Sequence, residues 1–154
     1  MLCREVMTTQ IVACQEDDTV ERCARLMRDQ NVGFLPVEDR QGQVVGIVTD
    51  RDLVTRYLAA ERPAHLPVRA IMTQSLLACR PGDELWMAEE EMAKGKKSRM
   101  LAVDDDGRAV GIISLTDVSR VEDEGRFGHL FRAVTGREVA RPFPRLRFGV
   151  DWYI

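Results

Sequence analysis

The chain has 154 residues, 45% of them apolar, which suits one compact domain or two small halves that must share buried surface. Its 22 basic and 25 acidic side chains leave a net charge of -3, which excludes a chain built mainly to neutralise a nucleic-acid backbone and leaves only local patches open. Cys3, Cys14, Cys23 and Cys79 form no C-x-x-C pair, the start "MLCREVMTTQ" carries no signal-peptide stretch, and no run of about 18 apolar residues occurs; these features predict a cytoplasmic protein with no metal site and no membrane span.

In chain order, "VMTT" leads into a short extended piece, Ile11 to Cys14. Asp18 then precedes an apolar stripe of Val20, Cys23, Ala24 and Met27, with Glu21 three residues after Asp18 as in a capping box, so a half-buried helix is predicted there. The run "GFLPVED" reads as a strand, Arg40-Gln41-Gly42 as a turn, and "VVGIVT" as the second arm of a hairpin. A last helix is predicted from near Asp50, through Leu53, Val54, Tyr57 and Leu58, before the connector "AAERPAHLP".

The same order then returns. A shift of 65 residues superposes Arg4 on Arg69, Met7 on Met72, Thr8 on Thr73, Cys14 on Cys79, Asp18 on Asp83, Met27 on Met92 and Gly42 on Gly107, with no gap. "VVGIVTDRDL" thereby falls on "AVGIISLTDV", setting Thr49 against Ser114 and Asp52 against Asp117. Identities at turns as well as apolar positions mark a duplication. The second copy has a helix around Leu85, Ala88 and Met92, the strand "SRMLAVD", a turn at Asp105-Asp106-Gly107, and a last helix from near Thr116. Each copy is strand, helix, strand, strand, helix; at about 60 residues neither suffices alone.

This pattern resembles a tandem pair of cystathionine-β-synthase-type (CBS) domains, a Bateman module, over roughly residues 2 to 122. The resemblance implies an α/β (α+β) fold of two βαββα repeats related by a pseudo-twofold axis around one core. We divide the chain into repeat 1 (1–61), repeat 2 (62–124) and a C-terminal arm (125–154). It also implies a regulatory ligand of the AMP, ADP or ATP class, with NAD and S-adenosylmethionine as alternatives, held in a cleft between the halves.

The residue types suit that ligand. Asp52 and Asp117 offer carboxylates to a ribose diol. Thr49 and Ser114 offer hydroxyls at a strand end, beside a helix start whose free amides favour phosphate. Gly46 and Gly111 leave room for a close approach. By the resemblance, Ser114 and Asp117 work with Thr8, Ala13, Val32 and Gly33, and Thr49 and Asp52 with Thr73, Ala78, Lys97 and Ser98. The adenine is expected against apolar backbone, with Ile47 and Ile112 at the repeated phrase. Lys97, Arg99 and Arg51 are the phosphate candidates; Val32 and Phe34 at the first two of these places in the other copy imply unequal sites. Thr49-x-x-Asp52 and Ser114-x-x-Asp117 equally fit plain capping boxes, and Lys96, Lys97 and Arg99 a solvated turn.

The arm carries Arg126, Arg132, Arg137, Arg141, Arg145 and Arg147 against Glu138 and Asp151, and the aromatics Phe127, Phe131, Phe143, Phe148, Trp152 and Tyr153. Such a segment packs across the module or onto a second subunit; interleaved basic and aromatic residues also fit single-stranded nucleic acid. Three functions compete: a ligand sensor acting on an effector protein in trans, a structural dimerisation module with no ligand, and an enzyme. No P-loop, G-x-G-x-x-G or H-E-x-x-H supports the last. A homodimer is expected.

Overall fold

The computed structural model describes residues 1–136. In the first copy β1 (Cys14–Gln15) is followed by α1 (Val20–Gln30), the hairpin β2 (Phe34–Glu38) and β3 (Val44–Thr49), and then α2 (Asp50–Asp52), which widens into a π-helical stretch over Leu53–Leu58. The second copy repeats the order as β4 (Ala78–Cys79), α3 (Leu85–Gly95), β5 (Arg99–Val103), β6 (Ala109–Ser114) and α4 (Leu115–Val118). Each forms its own three-stranded sheet, β1-β2-β3 and β4-β5-β6, with the first pair parallel and the second antiparallel. The hairpin turns need a residue at positive φ, and Gly42 (φ 80°) and Gly107 (φ 79°) supply it.

The halves are joined by exchanging their opening segments. Cys3 N–H donates to the Asp83 carbonyl (2.8 Å) and Leu85 N–H to that of Met1 (2.9 Å); 65 residues on, Val68 N–H donates to Asp18 (2.8 Å) and Val20 N–H to Leu66 (2.9 Å). The "MT" residues go further, because Thr8 pairs with Ile112 and Thr73 with Ile47 through two backbone hydrogen bonds each, of 2.8 to 3.0 Å. The buried side chains accordingly form two clusters, each completed by the other copy: Cys3 joins Cys79, Met92, Met100 and Ile113, while Val68 and Ile71 join Cys14, Val20, Leu35 and Val48. Neither half buries its own core unaided.

Several local expectations are corrected. Thr19, not Asp18, caps α1, its hydroxyl accepting from Arg22 N–H at 3.2 Å, while Asp18 closes the turn before it by accepting from Gln15 N–H at 2.9 Å. Glu21 is no capping-box partner; it accepts from the Tyr57 hydroxyl and the His65 amide, and those two donors hold its carboxyl down to about 2. Ala24 faces solvent, leaving Val20, Cys23 and Met27 as the buried stripe. Gly46 and Gly111 do admit a close approach, but its occupants are the Met72 and Met7 side chains of the opposite copy, with the Thr73 carbonyl 3.2 Å from where a Gly46 Cβ would lie. All four cysteines are buried free thiols; burial pushes Cys79 up to about 12.

The largest departure from the sequence reading is α5 (Glu124–Thr135), a helix at the start of the segment assigned to the arm. Asp123 caps it, accepting from the Gly125 and Arg126 amides at 3.0 Å each. Phe127, Leu130 and Val134 then pack into the second copy's cluster against α3. The signal was present as Phe127, Leu130, Phe131 and Val134 at i, i+3, i+4 and i+7 behind an N-cap aspartate. Gly125 and Gly128 weaken its propensity. Arg137, Arg141, Arg145, Arg147 and the aromatics from Phe143 on lie outside the described residues.

Candidate functional site: a cationic cleft between the repeats

At the β3–α2 junction the repeated phrase folds into a reciprocal cap. Thr49 N–H donates to Asp52 Oδ2 (2.9 Å), the Thr49 hydroxyl donates to the same oxygen (2.7 Å), and Asp52 N–H donates back to Thr49 Oγ1 (3.2 Å). Ser114 and Asp117 repeat it, with Ser114 N–H to Asp117 Oδ2 at 2.9 Å and Asp117 N–H to Ser114 Oγ at 3.3 Å. The helix-start amides of the first copy are consumed rather than free: Asp50 N–H donates to the Gly33 carbonyl (3.1 Å) and Arg51 N–H to Asp50 Oδ1 (2.7 Å). Anion binding there falls to side chains. Thr49→Ala is expected to cost about 1 kcal/mol in urea denaturation and Thr49→Ser almost nothing, since the second copy caps with serine.

Only one carboxylate oxygen of each aspartate is spent on the cap. Asp52 Oδ1 meets Arg56 Nε at 3.3 Å, and Asp117 Oδ1 meets Arg120 at 3.5 Å. Arg56 is itself positioned across the seam, donating to the Ile71 carbonyl (2.8 Å) and to Thr73 Oγ1 (3.1 Å). Asp52, only 9% exposed, and Arg56 both line a cavity of about 800 Å³ between the repeats.

That cavity gathers most of the first predicted set: Ile47, Thr49, Arg51 and Asp52 from one copy, Thr73, Lys97, Ser98 and Arg99 from the other. Leu77 lines it where Ala78 was expected. Sequence reasoning missed Arg56, Ser75 and Lys96 in this role, and also Val134 and Thr135, by which the last turn of α5 closes one wall. Five cations, Arg51, Arg56, Lys96, Lys97 and Arg99, thus share one space with a single acid. Phe34, Ile47, Leu77 and Val134 supply its apolar surface.

The second predicted set, Ser114, Asp117, Ile112, Thr8, Ala13, Val32 and Gly33, lines none of this cavity. Its character differs. Gly33 backs onto the Asp50 carboxylate, whose Oδ2 lies 2.8 Å from where a Cβ would stand, and the corresponding place in the second copy is Leu115 beside Ser98. The two faces of the seam are therefore unequal in charge.

The comparisons with known proteins agree with this architecture. The CBS domain family profile matches residues 3–59 and 68–124, one match per copy. The chain belongs to the CBS domain family, as a tandem pair. It is 34% identical over 116 residues to CBS domain-containing protein YhcV of Bacillus subtilis, covering 75% of this chain and 81% of that one. A 31% match over 114 residues to the inosine-5'-monophosphate dehydrogenase of Methanocaldococcus jannaschii covers 74% of this chain but 22% of that enzyme. Among solved structures, the CBS domain pair of protein MJ0100, in complex with 5'-methylthioadenosine and S-adenosyl-L-methionine, is 25% identical with a TM-score of 0.70, covering 79% of this chain and 94% of that one. CBSX2 in complex with AMP is 26% identical with a TM-score of 0.66, covering 77% and 93%. No helix among the described residues is long and apolar enough to cross a membrane.

Proposed function

We propose that this chain is a regulatory sensor that binds an adenosine nucleotide with two or more phosphates in the cleft between its repeats. The observation that carries this reading is the cavity of about 800 Å³ in which five cations from both copies face one carboxylate. Asp52 Oδ1 exchanges Arg56 for the ribose diol, adenine lies against Phe34, Ile47 and Leu77, and the phosphates run toward Lys97 and Arg99, with Arg51 behind them. AMP and S-adenosylmethionine, the latter bearing a positive sulfonium, are weaker ligands for such a site than ADP or ATP. The complexes of MJ0100 and CBSX2 support the adenosine part of the reading. Because the site is walled by both copies, a ligand acts by favouring one mutual geometry of the repeats over another, and so reaches an effector protein or the module's own assembly.

A melting-temperature series against AMP, ADP, ATP, NAD and S-adenosylmethionine tests it. At 100 times its dissociation constant a ligand adds about 2.7 kcal/mol to stability, and the shift at equal concentration is expected to rise from AMP to ADP to ATP and to shrink with added salt. No shift with any of the five leaves the module a structural one. We propose separately that the protein is a homodimer, a reading supported by the apolar side chains Val54, Leu58, Trp86, Met87 and Phe131, which stand 47% to 66% exposed on its helical faces.

A further inference from the structure

But for its first residue, α5 lies outside both family matches, and it nevertheless completes the cleft. Near its start Arg126 donates to Glu89 of α3 at 2.9 Å. At its other end Val134 and Thr135 enter the wall of the cavity that Lys96 and Lys97, just past the end of α3, also line. The two helices therefore run side by side in one direction, and the negative ends of both dipoles converge on the same space. Lys96, Lys97 and Arg99 are the cations that stand there.

The wall that α5 gives the cavity has nothing to offer an anion. Thr135 Oγ1 spends its proton on the Phe131 carbonyl at 2.7 Å, which leaves only lone pairs, and Val134 is buried. A polyphosphate that takes Lys97 and Arg99 withdraws the charge that compensates two helix ends and brings its own negative charge toward them. The strain falls on α5, because α3 is held in sequence between β4 and β5. Gly125 and Gly128 lower the propensity of α5, and its ion pair leaves Glu89 Oε1 buried without a hydrogen-bond partner, so its docking is the less stable of the two.

We propose that α5 is the element through which the cleft signals: polyphosphate binding and the docking of α5 on α3 oppose each other, so that an occupied cleft releases the helix. This rests on the nucleotide reading above. Adenosine, which carries no phosphate, has no such differential interaction and leaves α5 docked. Release uncovers the surface that Phe127, Leu130 and Val134 now bury, which gives a ligand in the cleft an output on the outside of the module. Coupling is reciprocal, so a change that loosens α5 tightens ATP and a change that firms it weakens ATP.

Amide hydrogen exchange on the full chain, alone, with adenosine and with ATP, tests this when paired with titration calorimetry of the same samples. Amides of residues 128–135 are expected to exchange at least about tenfold faster with ATP bound than without it, and at an unchanged rate with adenosine, while those of α1 are not accelerated. Two substitutions outside the cavity move the balance in opposite directions. Arg126→Met loosens α5 and is expected to tighten ATP about threefold or more. Gly128→Ala, whose Cβ would meet only the far end of the Arg132 side chain at 3.4 Å, firms the helix and is expected to weaken ATP about threefold. Adenosine is expected to bind both variants as it binds the wild type. Because Gly128→Ala favours the fold, its result stands even if Arg126→Met does not fold. ATP that binds with α5 exchange unchanged or slowed, or with Gly128→Ala no weaker than wild type, overturns the coupling and leaves the nucleotide reading in place. ATP that does not bind the wild type overturns the nucleotide reading and the coupling with it.

Discussion

Arg126→Met is expected to destabilise the fold by about 2 to 3 kcal/mol, measured by urea denaturation at pH 8. Removing one partner of a buried ion pair costs about 3 to 5 kcal/mol because the other charge is left uncompensated. The figure is discounted here because Arg126 is itself half-exposed. Glu89 is the group left behind. Its Oε1 already has no partner, and Glu122, which shares Arg126 at 3.3 Å, would then face it as an unscreened like charge. Burial, opposed by Arg126, holds the Glu89 carboxyl above the usual carboxylate range, and losing the arginine raises it further. A carboxyl whose folded pKa lies above its unfolded value binds its proton more tightly when folded, so it favours the fold at low pH and stops doing so as pH rises through the folded value. The deficit of Arg126→Met is therefore expected to be small at pH 4.5 to 5 and full at pH 8. Replacing both residues, as Glu89→Leu with Arg126→Met, removes the stranded charge and should recover most of the loss. A pH-independent deficit, or no recovery, would mean that Arg126 supports α5 through the packing of its side chain and not by compensating Glu89.

What the sequence disclosed about this fold depended on repetition. The hairpins and α1 and α3 were readable because two copies punctuate alike at Gly42 and Gly107, and because the apolar stripes differ little between copies. Thr49–Asp52 and Ser114–Asp117 allowed both a capping and a ligand reading; the geometry shows the cap, which uses one oxygen of each carboxylate, while Asp52 also lines the cavity and its other oxygen meets Arg56. The exchange of opening segments left no local trace, since nothing near Cys3 indicates that it belongs with Cys79 rather than Cys14. Lys96 and Arg56 are equally silent as isolated residues. They become cleft residues only when the β5 end of one copy is brought over α2 of the other. The helix α5 was legible in its periodicity but was masked by its place in a basic, aromatic run that reads by composition as an arm.

The two halves of the proposed nucleotide can be separated by substitution. Lys97→Ala combined with Arg99→Ala is expected to weaken ATP binding about 100-fold, since each removes a charge-assisted contact worth about 1.5 to 3 kcal/mol when sheltered and less at these exposed positions. Adenosine, which has no phosphate, should lose nothing, and the salt dependence of ATP binding should flatten. Asp52→Asn is expected to behave differently: it keeps a cap acceptor but gives up the negative charge proposed to hold the ribose diol, so adenosine and ATP should weaken alike, by about tenfold. Isothermal titration of both ligands against both variants reads the split directly. The charge inequality between the two faces of the seam adds a stoichiometric expectation of one ATP per chain, abolished by the lysine–arginine pair and untouched by Asp117→Asn. Should the Lys97/Arg99 variant lose adenosine as severely as ATP, these cations shape the end of β5 instead of holding phosphate, and the preference for a polyphosphate ligand falls with them.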